Sequence, residues 1–224
     1  LCELRLEAIA KATGCTEFEF YLTGKGNFRY DIATILPYKG NRKQPKPFHY
    51  ENMRNYLMFM HKAQVVDGME ADDMLAIRQT EMGSDSVIVS RDKDLRTVEG
   101  WHYSYALSTQ PEKPLEYITE LGYLTLKPKN KLIGGGHRLF YAQCLMGDKV
   151  DNIQGLPKHG PVKAFNILKE CENETELYET TFEAYKNFYN ETMVCLFCCD
   201  GIKLIADYFY GIFESNERWF VSNK

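Results

Sequence analysis

The sequence predicts an α/β fold with a parallel sheet, and three observations carry that expectation. Helical and strand-like stretches alternate through the first half, the order that builds parallel sheets from crossover units. SVIVS, residues 86–90, has the length and apolar content of a short buried strand and runs straight into two aspartates. Beyond residue 137 the pattern turns helical to about residue 213, so a second region follows the α/β core of residues 1–126, packed on it as one globular unit.

Taken in order, residues 3–12 have helical spacing and Gly14 is a stop. FEFYLTG, residues 18–24, alternates and reads as a strand entering a turn. The segment from Pro37 to Pro47 is basic and bears glycine and proline, hence a loop. YENMRNYLMFMHKA, residues 50–63, follows as a helix whose Met53, Leu57 and Met60 form one stripe, expected in the core. A second helix is expected from about 70 to 82. KPKNKLIGGG, residues 127–136, reads as a flexible connection. In the helical half, Gly160 stands at a cap, Pro161 at the first helical position, and Ala164, Ile167 and Leu168 supply a buried stripe.

At 224 residues the chain is one domain, or one with a small appendage, and 44% hydrophobic with 26% charged residues is a globular composition. No apolar run approaches the roughly 20 residues that cross a bilayer, and no charged-then-apolar leader opens the sequence, so a cytoplasmic protein without membrane partners is expected. The seven cysteines are scattered in a way that suits free thiols. Cys195, Cys198 and Cys199 include one CxxC spacing, but no second pair completes a zinc site, and the stretch reads as an apolar helix. His49, His61, His102, His137 and His159 show no metal-ligand spacing.

The net charge is -4, yet Lys39, Arg42, Lys43 and Lys46 fall in a run without acids, and Lys127, Lys129, Lys131 and Arg138 in a second. The acids gather at element boundaries instead. Glu70, Asp72 and Asp73 stand at a helix start, where the macrodipole alone would favour them. Asp92 and Asp94 follow the SVIVS strand, where α/β sheets bind ligands, and in extended chain would share a face. Asp148 and Asp151 would be neighbours if helical. Were the groups to converge, each carboxylate pair about 4 Å apart would repel by about 4 kcal/mol, and cations would be required. An all-oxygen ligand set selects Mg²⁺ or Mn²⁺, and two such ions are a device for in-line attack on a phosphodiester. The turn from Gly155 to Gly160 and the helix N-terminus behind it, flanked by Lys158 and Lys163, would hold a phosphate.

With these residues in view, the chain resembles the 5′ nucleases of the flap endonuclease type, above all phage-encoded 5′ to 3′ exonucleases and the 5′ nuclease part of bacterial DNA polymerase I. The motifs that carry the resemblance occur in order: FR at 28–29, YKGNRK at 38–43, MEADDM at 69–74, VIVSRDKDL at 87–95 and GDKVDNIQGLPKHGPVKA at 147–164. The resemblance implies a PIN-like core with a central mainly parallel sheet flanked by helices, and a helix-three-turn-helix over about 140–172 within a helical region of 137–213. It implies that Glu70, Asp72, Asp73, Asp92, Asp94, Asp148 and Asp151 hold two Mg²⁺ or Mn²⁺ ions, and that backbone oxygens around 153–160 hold K⁺. Lys39 and Arg42 take the catalytic cation roles, and Tyr38 stacks near the scissile nucleotide. Arg29, Lys43, Gly155, Lys158, Gly160 and Lys163 contact DNA.

The implied reaction is metal-dependent hydrolysis near a 5′ end or flap of duplex DNA by a monomer, in phage replication or recombination, with RNA of RNA–DNA hybrids a further substrate. Two departures stand out. The chain begins at Leu1 without the family's first-strand aspartate, so it is expected either to extend upstream or to lack ligands for one ion. Gly24 stands where a further aspartate is common. The short segment between Arg42 and Glu70 implies a small arch and favours duplex ends over strict flap cutting. Two other readings are a DNA-binding module of the same fold without catalysis and a PIN-like ribonuclease, against which the 151–164 motif speaks.

Overall fold

The computed structural model describes residues 2–33, 35–107 and 110–193. Helix α1, Cys2–Thr13, ends where Gly14 takes a φ of +75° and donates its N–H to the Ala10 carbonyl at 2.8 Å. Strand β1, Tyr21–Asn27, pairs in parallel with β2, Gln64–Gly68. Between them lie the short helix α2, Arg29–Ile32, the basic loop and helix α3, Tyr50–His61. Helix α4, Ala71–Met82, leads to β3, Val87–Val89, which is parallel to β4, Gly100–Ser104. Strand β5, Lys113–Ile118, returns antiparallel beside β4. The β1–β2 and β3–β4 pairs supply the parallel pairing that the sequence leads one to expect, in separate ladders.

Strands β6, Tyr123–Lys127, and β7, Lys131–Gly135, form an antiparallel hairpin over the segment expected to be a flexible connection. Its turn puts Lys129 at φ 62° and Asn130 at φ 56°. The glycines that suggest flexibility serve close packing instead: a Cβ on Gly134 would come within 2.4 Å of the Tyr123 carbonyl oxygen. After the hairpin come α5, Gly136–Met146, the two-residue strands β8, Gly147–Asp148, and β9, Ile153–Gln154, then α6, Pro161–Leu168, and α7, Glu174–Met193.

The fully buried side chains concentrate where α5, α6 and α7 meet: Leu145, Leu168 and Leu177 have no exposed surface, each contributing about 2 kcal/mol by burial. Ala164 and Leu168 are buried and Ile167 packs against the same cluster, as the sequence pattern indicates. Helix α3 departs from its expected stripe. Met53 and Met60 are exposed, and the half-covered residues are Tyr50, Arg54, Tyr56, Leu57, Met58 and His61, the last 5.2 Å from the Phe20 ring. Strand β2, directly after α3, carries too short an alternation to be read from the sequence, and it forms because β1 offers it a parallel partner.

The described cysteines, Cys2, Cys15, Cys144 and Cys171, are free, and burial pushes the Cys144 thiol up to about 12. Cys195, Cys198 and Cys199 lie outside the described residues. No helix among the described residues is long and apolar enough to cross a membrane.

Candidate active site

A tight turn sets the first functional residues. Gly40 donates its N–H to the Pro37 carbonyl at 2.9 Å, with Lys39 at φ 53°, so Tyr38 and Lys39 project from a fixed corner. Lys39 also donates its backbone N–H to the Asp151 carbonyl at 3.0 Å, and the Asn152 amide reaches the Pro37 carbonyl at 2.9 Å. These bonds tie the basic loop to the turn between β8 and β9.

Around that corner the charges interlock. Glu70, the residue preceding α4, accepts hydrogen bonds from Lys39 Nζ at 2.6 Å, Asn27 at 3.0 Å and the Tyr38 hydroxyl at 3.2 Å. The Tyr38 hydroxyl also reaches Asp151 at 3.0 Å, and Arg42 pairs with the other oxygen of Asp151 at 2.5 Å. Burial, with Glu70 and Asp151 beside it, drives the Tyr38 pKa upward. The Tyr38 ring is itself buried, so it does not present the stacking face expected of it. Its neighbour Tyr30, in edge contact with it at 5.8 Å, is 60% exposed.

Asp73 and Arg29 form a two-pronged pair at 2.6 and 2.7 Å, and Asp73 also accepts the Glu70 backbone N–H at 2.8 Å. Arg29 thus faces a carboxylate rather than solvent, and Asp73 orients the start of α4. Asp72 differs. Among the described residues no hydrogen-bond donor reaches its carboxylate, and burial, with Asp92 and Glu70 as like-charged neighbours, raises its pKa to about 6.

Asp92 and Asp94 do not lie in extended chain. Asp92 accepts the Asp94 backbone N–H at 2.9 Å, an Asx turn that leads into the 3₁₀ turn of 94–97. Asp94 receives Gln143 from α5 and Lys93 Nζ at 3.0 Å, and burial pushes its carboxyl upward. Asp148 and Asp151 are not on a helix either. Asp148 ends β8 and Asp151 lies within the β8–β9 turn, Asp148 facing Lys93 at 2.5 Å and Asp151 facing Tyr38 and Arg42. Burial works against ionisation of Asp148, but the Lys93 hydrogen bond and the Val150 N–H at 2.8 Å hold its pKa below the usual value.

The structure therefore joins Glu70, Asp72 and Asp92 as one set of interacting carboxylates, and Asp94 with Asp148 as another, with Asp151 and Asp73 paired to arginines. The donors are oxygens throughout, which suits a hard cation, and a cation beside Asp72 would offset first its burial and then the charge of Asp92 and Glu70. As the side chains stand, no group of three or more potential ligands among the described residues is gathered tightly enough to hold a metal. Lys93, Asn27 and Gln143 escape the sequence reading. Lys93 has a signal in hindsight, a cation set between Asp92 and Asp94 in RDKDL; Asn27 and Gln143 have none.

The turn beyond Asp151 is tightly built. A Cβ on Gly155 would lie 2.2 Å from the Gly147 nitrogen, so only glycine fits there. Lys158 at φ 62° and Lys163 are exposed, and Gly160 precedes Pro161 at the start of α6. Arg138 is used internally, its guanidinium donating to the carbonyls of Leu168, Lys169 and Cys171 at the end of α6. At Gly24 a Cβ would fall 2.1 Å from the Asp67 carboxylate, which accepts the Lys25 N–H at 2.6 Å, so a carboxylate from β2 fills the space beside this strand position.

Parallel strand pairs, acids on the loops that follow them and a glycine turn leading into a short helix define the class: the chain has the fold of the 5′ nucleases and is similar to them in sequence. Among solved structures it is similar to the T5 D15 protein crystallised with metal ions, with a TM-score of 0.53 and 16% identity over 96% of this chain and 89% of that one. A T5 flap endonuclease in complex with DNA and metal ions gives a TM-score of 0.53 at 15% identity. In sequence it is 28% identical over 157 residues to flap endonuclease Xni of Shewanella piezotolerans, covering 66% of this chain and 57% of that one. It is 28% identical over 155 residues to DNA polymerase I of Bacillus caldotenax, covering 66% of this chain and 17% of that one. The chain thus spans less than two thirds of the length of these curated relatives. No family model matches it.

Proposed function

We propose that the chain is a divalent-metal-dependent 5′ nuclease, hydrolysing DNA phosphodiesters at or near the 5′ ends or flaps of duplex DNA. Mg²⁺ or Mn²⁺ is the cofactor, and when bound it supplies the charge that activates water and stabilises the leaving oxygen. Glu70, Asp72 and Asp92 would hold it. The carrying observation is that Asp72 stands beside Asp92 and Glu70 with no described donor on its carboxylate, while Lys39 is paired directly to Glu70 and Arg42 to Asp151.

Each cation has a defined task. Lys39 and Arg42, now paired to Glu70 and Asp151, are placed to turn toward a phosphate and neutralise charge as it develops. Their carboxylate partners keep them ordered until then. Lys43, Lys158 and Lys163, with the backbone N–H groups behind Gly160 at the N-terminus of α6, hold the DNA backbone away from the scissile bond without reading sequence. Residues 140–172 serve as a helix-three-turn-helix, with K⁺ held by backbone oxygens near 153–160. The protein acts as a monomer in the cytoplasm, and RNA–DNA hybrid is a secondary substrate.

The test is cleavage of 5′-labelled duplex DNA in Mg²⁺ by the wild type and by Asp92→Asn. Short labelled products from the wild type alone, with DNA binding retained in both, support the reading. Binding without cleavage in both would favour a non-catalytic DNA-binding module, the second reading, which draws its support from the cation-paired state of most of the carboxylates.

A further inference from the structure

The second basic run has no part in the site above, and the β6–β7 hairpin arranges it against its own electrostatics. Lys127 and Lys131 stand directly opposite each other in the antiparallel ladder, so their side chains leave one face about 5 Å apart at Cβ, and like charges so placed oppose pairing. Lys129 adds a third charge from the turn between them, at φ 62°. All three are exposed, and among the described residues no carboxylate pairs with any of them. Closing a hairpin does not call for three ammoniums. On the other face of the hairpin, Leu124 and Leu132 pack on the core of α5, α6 and α7. The lysine face also carries Tyr123, whose hydroxyl meets Arg96 at 3.0 Å while Arg96 pairs with Glu116 of β5 at 2.5 Å. Glu116 and Lys113 stand opposite His102 and Ser104 on β4, hence on one face, and this face of β5 looks toward the hairpin. Partial burial of the Lys113 ammonium lowers its pKa, and Arg96, Arg91 and Lys131 beside it lower it further. Glu112, next in the chain, offsets one of these charges.

We infer that Lys113, Lys127, Lys129 and Lys131 form a further binding surface for the sugar–phosphate backbone of duplex DNA, on different elements from Lys158 and Lys163 and at the same edge of the sheet as Asp92 and Asp94. The edge is fixed by bonds on the page of the fold. Lys113 pairs with Ser104, whose hydroxyl donates to the Ser90 carbonyl at 2.6 Å, two residues before Asp92. Arg91, next to Asp92, donates to the carbonyls of Tyr105 at 2.6 Å and Pro111 at 2.9 Å, and so ties the start of β5 to the aspartate loop. The chemistry selects the partner. Lysines are compact point charges that suit phosphates held for position and not for sequence. KPKNK brings no aromatic or aliphatic side chain to enter a bilayer, unlike an interfacial membrane anchor. An anion set among the lysines would relieve the opposition of Lys127 and Lys131.

The inference rests on the nuclease reading for the identity of the polyanion, and salt-dependent binding separates the two. Fluorescein-labelled blunt duplex DNA is titrated with the full chain in EDTA between about 50 and 200 mM KCl, where each phosphate contact adds about 0.9 to the slope of log Kd against log salt. Lys127→Gln/Lys131→Gln should lower that slope by about 2, and adding Lys129→Gln should lower it by about 3. Lys11→Gln/Lys25→Gln/Lys62→Gln makes the same charge change on exposed lysines elsewhere and should leave the slope as it is. A slope unchanged in the hairpin variants, or lowered as much by the control, would overturn the inference. So would weaker binding of the hairpin variants to phosphatidylserine vesicles with an unchanged DNA slope, which assigns the surface to lipid. The hairpin variants should melt at or above the wild-type temperature, because the opposed lysine pair is gone; a lowered melting temperature would show that the lysines serve the fold and would overturn the inference too. Duplex binding with the expected slopes but no cleavage in Mg²⁺ would sink the nuclease reading and leave this surface standing, whereas no duplex binding by the wild type would remove it.

Discussion

Lys39 shows how one residue serves two states. Its ammonium is held 2.6 Å from Glu70 and 4.8 Å above the Tyr38 ring, in a side chain only 18% exposed, so its position is fixed before any substrate arrives. Lys39→Ala should therefore reduce cleavage rate far more than duplex affinity, by about 100-fold against less than tenfold, as expected where charge matters mainly in the transition state. Equal losses in single-turnover rate and in Kd would remove Lys39 from the catalytic role. The Arg29–Asp73 pair makes the opposite kind of prediction. With exposures of 28% and 14%, it is buried enough that Asp73→Asn leaves a cation short of its partner and costs about 2 kcal/mol of stability, read as a lower urea midpoint at unchanged slope. Both residues were legible as charged site candidates in the sequence; that one pairs for structure and the other waits beside a glutamate was not.

At the scale of elements, the hairpin β6–β7 decides how the helical half is seated. Gly122 leads into it at φ +67°, and a Cβ there would lie 1.8 Å from the Gly135 carbonyl oxygen. Gly122→Ala is expected to cost about 3 kcal/mol from strain and displaced backbone, lowering Tm by about 10 °C. A melt shifted by less than about 2 °C would show that the two segments can separate without loss. Helix α6, with Gly160 and Pro161 at its start and Ala164, Ile167 and Leu168 on one stripe, was readable because its signals are local. The hairpin was not, since glycines that fit against a neighbouring strand look the same in sequence as glycines that confer freedom.

For the whole molecule, the pH response of stability follows from a buried histidine. His102, on β4, is 3% exposed with Nε2 2.8 Å from the Val98 carbonyl, and burial lowers its pKa from 6.5. The unfolded chain then takes up a proton at a higher pH than the folded one. Stability from this group is complete above about pH 6.5 and falls as pH drops below that value, levelling once the folded histidine also protonates. Urea midpoints at pH 7.5 and 5.5 should differ in that direction, and His102→Gln should narrow the difference; an unchanged gap would assign the acid sensitivity to other groups.

The sequence by itself determined the kinds of chemistry present: oxygen ligands without histidine or thiol among them, two basic runs, a glycine turn ahead of a helix, and an ordered set of motifs like those of the 5′ nucleases. These are properties of residue type and short spacing, which no folding can alter. Only the tertiary structure decided who faces whom. Tyr38 reaches Asp151 across 113 positions and Lys93 reaches Asp148 across 55, so a carboxylate's role, as open ligand or as partner of an ammonium, is set by contacts between segments that the linear order does not record.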